Sequence, residues 1–139
     1  MAGPSGKPVV QKLGIQPGFR IFAAGAPAPY VDIVGELPAG VTLLTRPGTA
    51  TDMVHLFVTG EATLADELGR AREAIAPDGM IWVSWPKKSS GVSTDLTDGV
   101  VRDTALPLGL IDIKVCAIDA TWSGLKFVIP KALRVKRAD

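Results

Sequence analysis

Residues 52–58, Asp52-Met53-Val54-His55-Leu56-Phe57-Val58, are nearly apolar on both faces, and the segment after them changes period. From Leu64, apolar side chains return at Leu68, Ala71 and Ile75, spacings that align them on one helical face and predict a helix over 64–76. Thr63 followed by Asp66 has the form of a capping box, and Asp66 with Arg70 makes a favourable i,i+4 pair. Pro77-Asp78-Gly79 stops the helix, and residues 80–85 are a second run apolar on both sides. Strands buried on both faces belong to parallel sheets covered by helices. This strand–helix–strand unit therefore decides the fold class as α/β.

Upstream, residues 19–24 form a short apolar run between Gly18 and Gly25, as a buried strand should. A turn of helix is expected over 9–15, stopped near Gly14 and Pro17, and two turns over 30–36, ended by Pro38 and Gly40. A short strand over 41–44 is closed by Pro47 and Gly48. Downstream, 87–94 is a polar loop, after which Thr94 or Asp95 caps a helix with Leu96, Val100, Val101 and Ala105 inward, ending before Pro107 and Gly109. Strands over 110–118 and 125–129 are separated by six residues, enough for an antiparallel hairpin and too few for a crossover helix. The expectation is a three-layer, Rossmann-like, mostly parallel sheet with a C-terminal antiparallel hairpin, 125–129 lying beside 111–118. Residues 1–8 read as a flexible lead-in, 9–130 as a single domain, and 131–139 as a basic tail with Lys131, Arg134, Lys136 and Arg137.

The chain's 139 residues suit one domain. Its 15 basic and 14 acidic side chains, a net charge of +1, argue against a nucleic-acid partner held by phosphate neutralisation. The single Cys116 cannot form an internal disulfide and suits a reducing compartment. No apolar run reaches the ~18–20 residues of a membrane span, and the N-terminus has no apolar export core. A cytoplasmic protein with no membrane partner is expected, as a monomer or homodimer.

The order of elements over about residues 18–130 resembles the second half of class I methyltransferases, which also finish in an antiparallel hairpin. A closer likeness lies in Lys12-Leu13-Gly14-Ile15-Gln16-Pro17-Gly18, Trp85-Pro86-Lys87-Lys88-Ser89-Ser90-Gly91, Thr94-Asp95-Leu96, the stretch Gly109-Leu110-Ile111-Asp112-Ile113-Lys114-Val115-Cys116-Ala117-Ile118-Asp119, and Trp122-Ser123-Gly124-Leu125. These resemble a family of short bacterial proteins, common in actinobacteria, classed as a domain of unknown function. The resemblance implies a truncated methyltransferase-like fold and brings no catalytic residues.

A methyltransferase of this fold needs a glycine-rich turn after its first strand and an acid after its second, to hold S-adenosylmethionine by the logic of dinucleotide sites. Here the first turn is Gly25-Ala26-Pro27-Ala28-Pro29-Tyr30, in which two prolines remove N–H donors, and Arg46 stands where the acid belongs. A helix–strand unit is also missing between the second strand and Asp52. No cofactor is therefore expected.

Lys87, Lys88, Ser89, Ser90 and Gly91 are the candidate anion site, because they leave the carboxyl end of a central strand toward a helix N-terminus. Asp95 and Asp98 oppose that reading by complementing the helix dipole themselves. The hairpin turn should reach the same sheet edge, making Asp119, Trp122 and Ser123, with Tyr30, candidate pocket walls; Asp119 would otherwise cap turn N–H groups and Trp122 close the core. His55, the only histidine, reads as a satisfied core or strand-edge residue, with no serine or cysteine at a recognisable nucleophile spacing. One histidine and one cysteine cannot make a zinc site, Cys116 reads as an inert buried thiol, and Trp82 and Trp85 read as packing on opposite strand faces. The reading is a non-catalytic methyltransferase-like module binding a small ligand or a protein partner. The alternatives are a divergent transferase or phosphate-handling enzyme using Lys87, Lys88 and Ser90, and a dimeric protein pairing through a sheet edge.

Overall fold

A computed structural model describes residues 8–46, 48 and 50–134. Lead-in residues 1–7, Pro47 at the close of the second strand, Thr49, and 135–139 of the basic tail lie outside the described residues.

Six strands form one sheet: β1 (Arg20–Ala24), β2 (Thr42–Leu43), β3 (Thr51–Phe57), β4 (Ile75–Pro86), β5 (Ile111–Ala117) and β6 (Trp122–Val128), in the order β2-β1-β3-β4-β6-β5. The first four pair in parallel, and β6 is antiparallel to both of its neighbours. The hairpin expected at the C-terminus is present, but it folds inward, so that β6 is inserted between β4 and β5. Side-chain character accounts for the order. Leu125 and Phe127 of β6 are fully buried, whereas β5 leaves Ile113 53% and Val115 64% exposed and interleaves Asp112 and Lys114, charges that suit an edge.

Helices cover both faces. Helices α1 (Val9–Leu13) and α2 (Tyr30–Val34) close a core of Ile21, Met53, Phe57, Trp82 and Trp122. Helices α3 (Leu64–Ala74) and α4 (Asp98–Ala105) close the other, around Leu56, Ile81, Val83, Trp85 and Phe127. Trp82 and Trp85 fall on opposite faces, as their odd spacing requires.

Three local expectations are corrected. Helix α3 ends at Ala74 and Ile75 already opens β4, so Pro77-Asp78-Gly79 sits inside a strand irregularity, where pairing jumps from Thr51–Ile75 to Met53–Met80. Ile75 keeps its buried place because the end of the helix face and the start of the strand face meet in one core. Thr63 has helical φ/ψ after a 3-10 turn over Glu61–Thr63, so its hydroxyl makes no backbone cap and donates to Glu67 at 3.0 Å instead. The Asp66–Arg70 ion pair forms. Helix α4 is capped by Thr97, whose hydroxyl accepts from the Val100 N–H at 3.2 Å. Thr94 and Asp95 turn backward, to the Thr59 carbonyl and the Glu61 N–H, and pin the preceding segment across β3. Leu96 is buried from that segment and not from the helix.

The link from β2 to β3 crosses β1 in residues 44–50, far below the dozen or more that a helical crossover takes, and no helix lies among its described residues. The face of β1 beside α3 therefore stays partly open, as a shallow apolar groove at Phe22 and Ala24.

Candidate functional site

Because β5 runs in the same direction as β4, with β6 returning between them, the β5–β6 turn arrives at the carboxyl end of β4. There the Lys87 N–H donates to the Thr121 carbonyl at 2.8 Å. A groove of about 350 Å³ opens beside this junction. Lys87 and Lys88 line it with Ser123, Trp85, Leu96 and Val115 supply apolar wall, and Asp98 adds a carboxylate from the start of α4.

The loop itself uses most of its own donors. The N–H groups of Ser90 and Gly91 go to the carbonyls of Lys87 and Lys88, and the Ser90 hydroxyl donates to the Lys87 carbonyl at 2.6 Å while accepting from the Val92 N–H. Attraction for an anion thus falls to the two ammonium groups. Of the four wall residues expected, Ser123 shares the groove with the lysines. Asp119 caps the hairpin turn, accepting from the N–H groups of Thr121 and Trp122 at 2.8 Å each. Tyr30 and Trp122 are buried in the core on the α2 side, both edge-on to Phe57.

One constellation escaped the sequence reading. His55 is fully buried, stacked on Phe57 with centroids 4.2 Å apart, and hydrogen-bonded on both nitrogens. Nδ1 meets the Tyr30 hydroxyl and Nε2 the Ser84 hydroxyl, each at 2.7 Å. Burial holds the imidazole neutral, lowering its pKa to about 3, and pushes the Tyr30 phenol up. Ser84 and His55 meet only because β3 and β4 are adjacent, with Phe57 opposite Ser84, and nothing in either local segment signals that register. With His55 and Ser84 at 0% exposure, the chain serves as a satisfied polar core and not as a nucleophile and base for a solvent-borne substrate.

The turn after β1 is occupied by packing. Gly25 has φ +75°, and a Cβ there would stand 2.5 Å from the Phe57 carbonyl oxygen, so the glycine lets β1 close against β3. Pro29 leads directly into α2, whose first residue Tyr30 is fastened down by His55. Beyond β2 come Leu44, Thr45 and an exposed Arg46, with no carboxylate to receive ribose hydroxyls. These residues do not fit S-adenosylmethionine. Among the described residues no cluster of three or more potential metal ligands occurs, and no helix is long and apolar enough to cross a membrane.

A parallel sheet ending in an inserted antiparallel strand, with helices on both faces, is the methyltransferase-like α/β fold. Solved structures agree. The chain is similar to an S-adenosylmethionine-dependent methyltransferase from Aquifex aeolicus, at 11% identity and TM-score 0.65, over 92% of this chain and 90% of that one. It is similar to a Sulfolobus solfataricus protein assigned to the type 11 methyltransferases, at 8% identity and TM-score 0.64, over 99% and 96%. Against LepI, solved with S-adenosylhomocysteine and a substrate analogue, it aligns at 14% identity and TM-score 0.52, over 87% of this chain and only 39% of LepI. At these identities the likeness is one of fold. No family model matches the chain, and no curated protein matches it in sequence.

Proposed function

We propose that this chain is a non-catalytic methyltransferase-fold module, akin to the short actinobacterial proteins its motifs resemble, that binds a small organic anion beside the Lys87 loop. The observation that carries this reading is a single groove with Lys87, Lys88 and Ser123 on one part of its lining and Trp85, Leu96 and Val115 on another. An anion with an apolar body satisfies both. Asp98 selects against bulky polyanions and suits a ligand that also carries a donor. Chemistry on such a ligand would need a base and a nucleophile at the groove, and His55 and Ser84 are sealed inside the core. A cytoplasmic setting is consistent with the lone, buried Cys116.

Phenylacetate, an anion with an apolar body and no phosphate group, is a suitable probe. At about ten times its dissociation constant it should raise the melting temperature by roughly 5 °C through mass action. The Lys87→Ala/Lys88→Ala double variant should lose that rise while its ligand-free melting temperature stays within ~2 °C of wild type, because Lys88 is exposed and neither it nor the half-buried Lys87 makes a side-chain hydrogen bond or ion pair among the described residues. An equal response in both proteins would defeat the groove as a site. S-adenosylmethionine at the same concentration should leave the melting temperature unmoved, and a rise would reverse the reading of the Gly25 turn.

A further inference from the structure

On the other face of the sheet, β5 and β6 bring Lys114 directly opposite Lys126, which in turn pairs with Trp82 in the core beneath α1. Like charges in that relation destabilise a strand pair. A third lysine joins them. The Lys114 ammonium donates to the Lys12 carbonyl at 2.7 Å, near the end of α1, and the Lys12 ammonium reaches the Ala117 carbonyl at 3.4 Å. The Lys126 Nζ stands 3.5 Å from where a Cβ on Gly14, the residue ending α1, would lie. Among the described residues no carboxylate forms an ion pair with any of the three, since every acid–base pair there involves Arg70 or Arg102. Each ammonium has three donors and uses at most one on a carbonyl.

We propose that Lys12, Lys114 and Lys126 form a binding corner for a phosphate group, free or carried by a small monoester, which supplies a counter-charge that no described residue gives this strand pair. A compact dianion bridging the exposed Lys114 and the half-buried Lys126 removes their mutual repulsion and takes up ammonium donors that no described residue uses. Surrounding titratable groups agree. Burial, together with Lys114, lowers the Lys126 pKa, and the buried Cys116 thiol feels Lys12 and Lys114 but no acid.

Lys126→Met is the decisive variant, because Lys126 makes no side-chain hydrogen bond among the described residues and methionine retains the length of its stem. Inorganic phosphate is titrated against sodium chloride at matched ionic strength, followed by melting temperature and phosphorus NMR line width. Wild type should bind phosphate, and Lys126→Met should bind it at least ~tenfold more weakly while melting at or above wild type in low salt without phosphate. Lys87→Ala/Lys88→Ala should bind inorganic phosphate at this corner as wild type does, which separates the proposal from the groove on the other face. Unchanged phosphate affinity in Lys126→Met would overturn it. So would a wild type that responds to phosphate and chloride alike, or a Lys126→Met protein that melts lower without phosphate, since the lysines would then serve only to fasten α1.

Discussion

Lowering the pH from 7 to 4.5 is expected to remove about 2–3 kcal/mol of stability through the single side chain of His55. The folded imidazole, sealed between Tyr30 and Ser84, takes up its proton only near pH 3, whereas the unfolded one does so near ~6.5. Between those values the unfolded chain binds more protons than the folded one. The stability His55 provides is therefore complete above about pH 6.5 and is lost progressively as the pH falls toward 3. Urea unfolding of wild type and His55→Gln at pH 7, 5.5 and 4.5 isolates this contribution. The variant should start less stable, by about 1–3 kcal/mol for the disturbed hydrogen bonds, and then decline less steeply with acid. Parallel pH slopes would show that the imidazole is not held neutral by the fold. Tyr30→Phe removes one partner while keeping the ring against Phe57, and should cost less than replacement of His55.

The second large effect is expected at Gly25→Ala. A Cβ there would lie 2.5 Å from a backbone oxygen, that of Phe57, which cannot swing aside as a side chain can, and the residue has φ +75°. The two costs together should exceed about 3 kcal/mol, near the upper end for a single substitution in a protein of this size. Gly18→Ala is the matched control, with φ +79° and nothing within 4 Å of an added Cβ. It should cost only the left-handed conformation, about 1 kcal/mol. Denaturant unfolding of the two variants measures the difference, which is the contact of β1 with β3. If Gly25→Ala were as mild as Gly18→Ala, the turn after β1 would have room to spare, and the argument that packing occupies the place of a cofactor cradle would fail.

The placement of the Lys87 loop beside the β5–β6 turn was legible before the structure. Lys87 and Lys88 follow a strand apolar on both faces, and the six residues between the strands expected over 110–118 and 125–129 (four between β5 and β6 as folded) permit only a hairpin, so a parallel β5 had to return its turn to the same sheet edge. The Lys87–Thr121 hydrogen bond is the outcome. Individual wall residues were harder to place. A residue's face depends on strand phase, and one position moves a side chain from one core to the other. Ser123 faces the groove while Trp122 beside it packs on Phe57. Capping was misplaced for a related reason: Thr94, Asp95 and Thr97 are all competent caps, and the choice among them depended on which of them β3 and the start of α3 would claim.

Local period and polarity by themselves determined that a helix joins two strands buried on both faces, β3 and β4, and that the last two strands form a hairpin. These depend on neighbours a few residues apart, whose geometry the backbone imposes wherever the segment lies. Only the tertiary structure decided that β6 lies inside and β5 outside, that Ser84 completes the hydrogen bonds of His55, and that Lys114 faces Lys126 beside α1. Those relations arise from register between distant segments. Register is settled by the burial of whole strand faces at once, so no single stretch of sequence carries it.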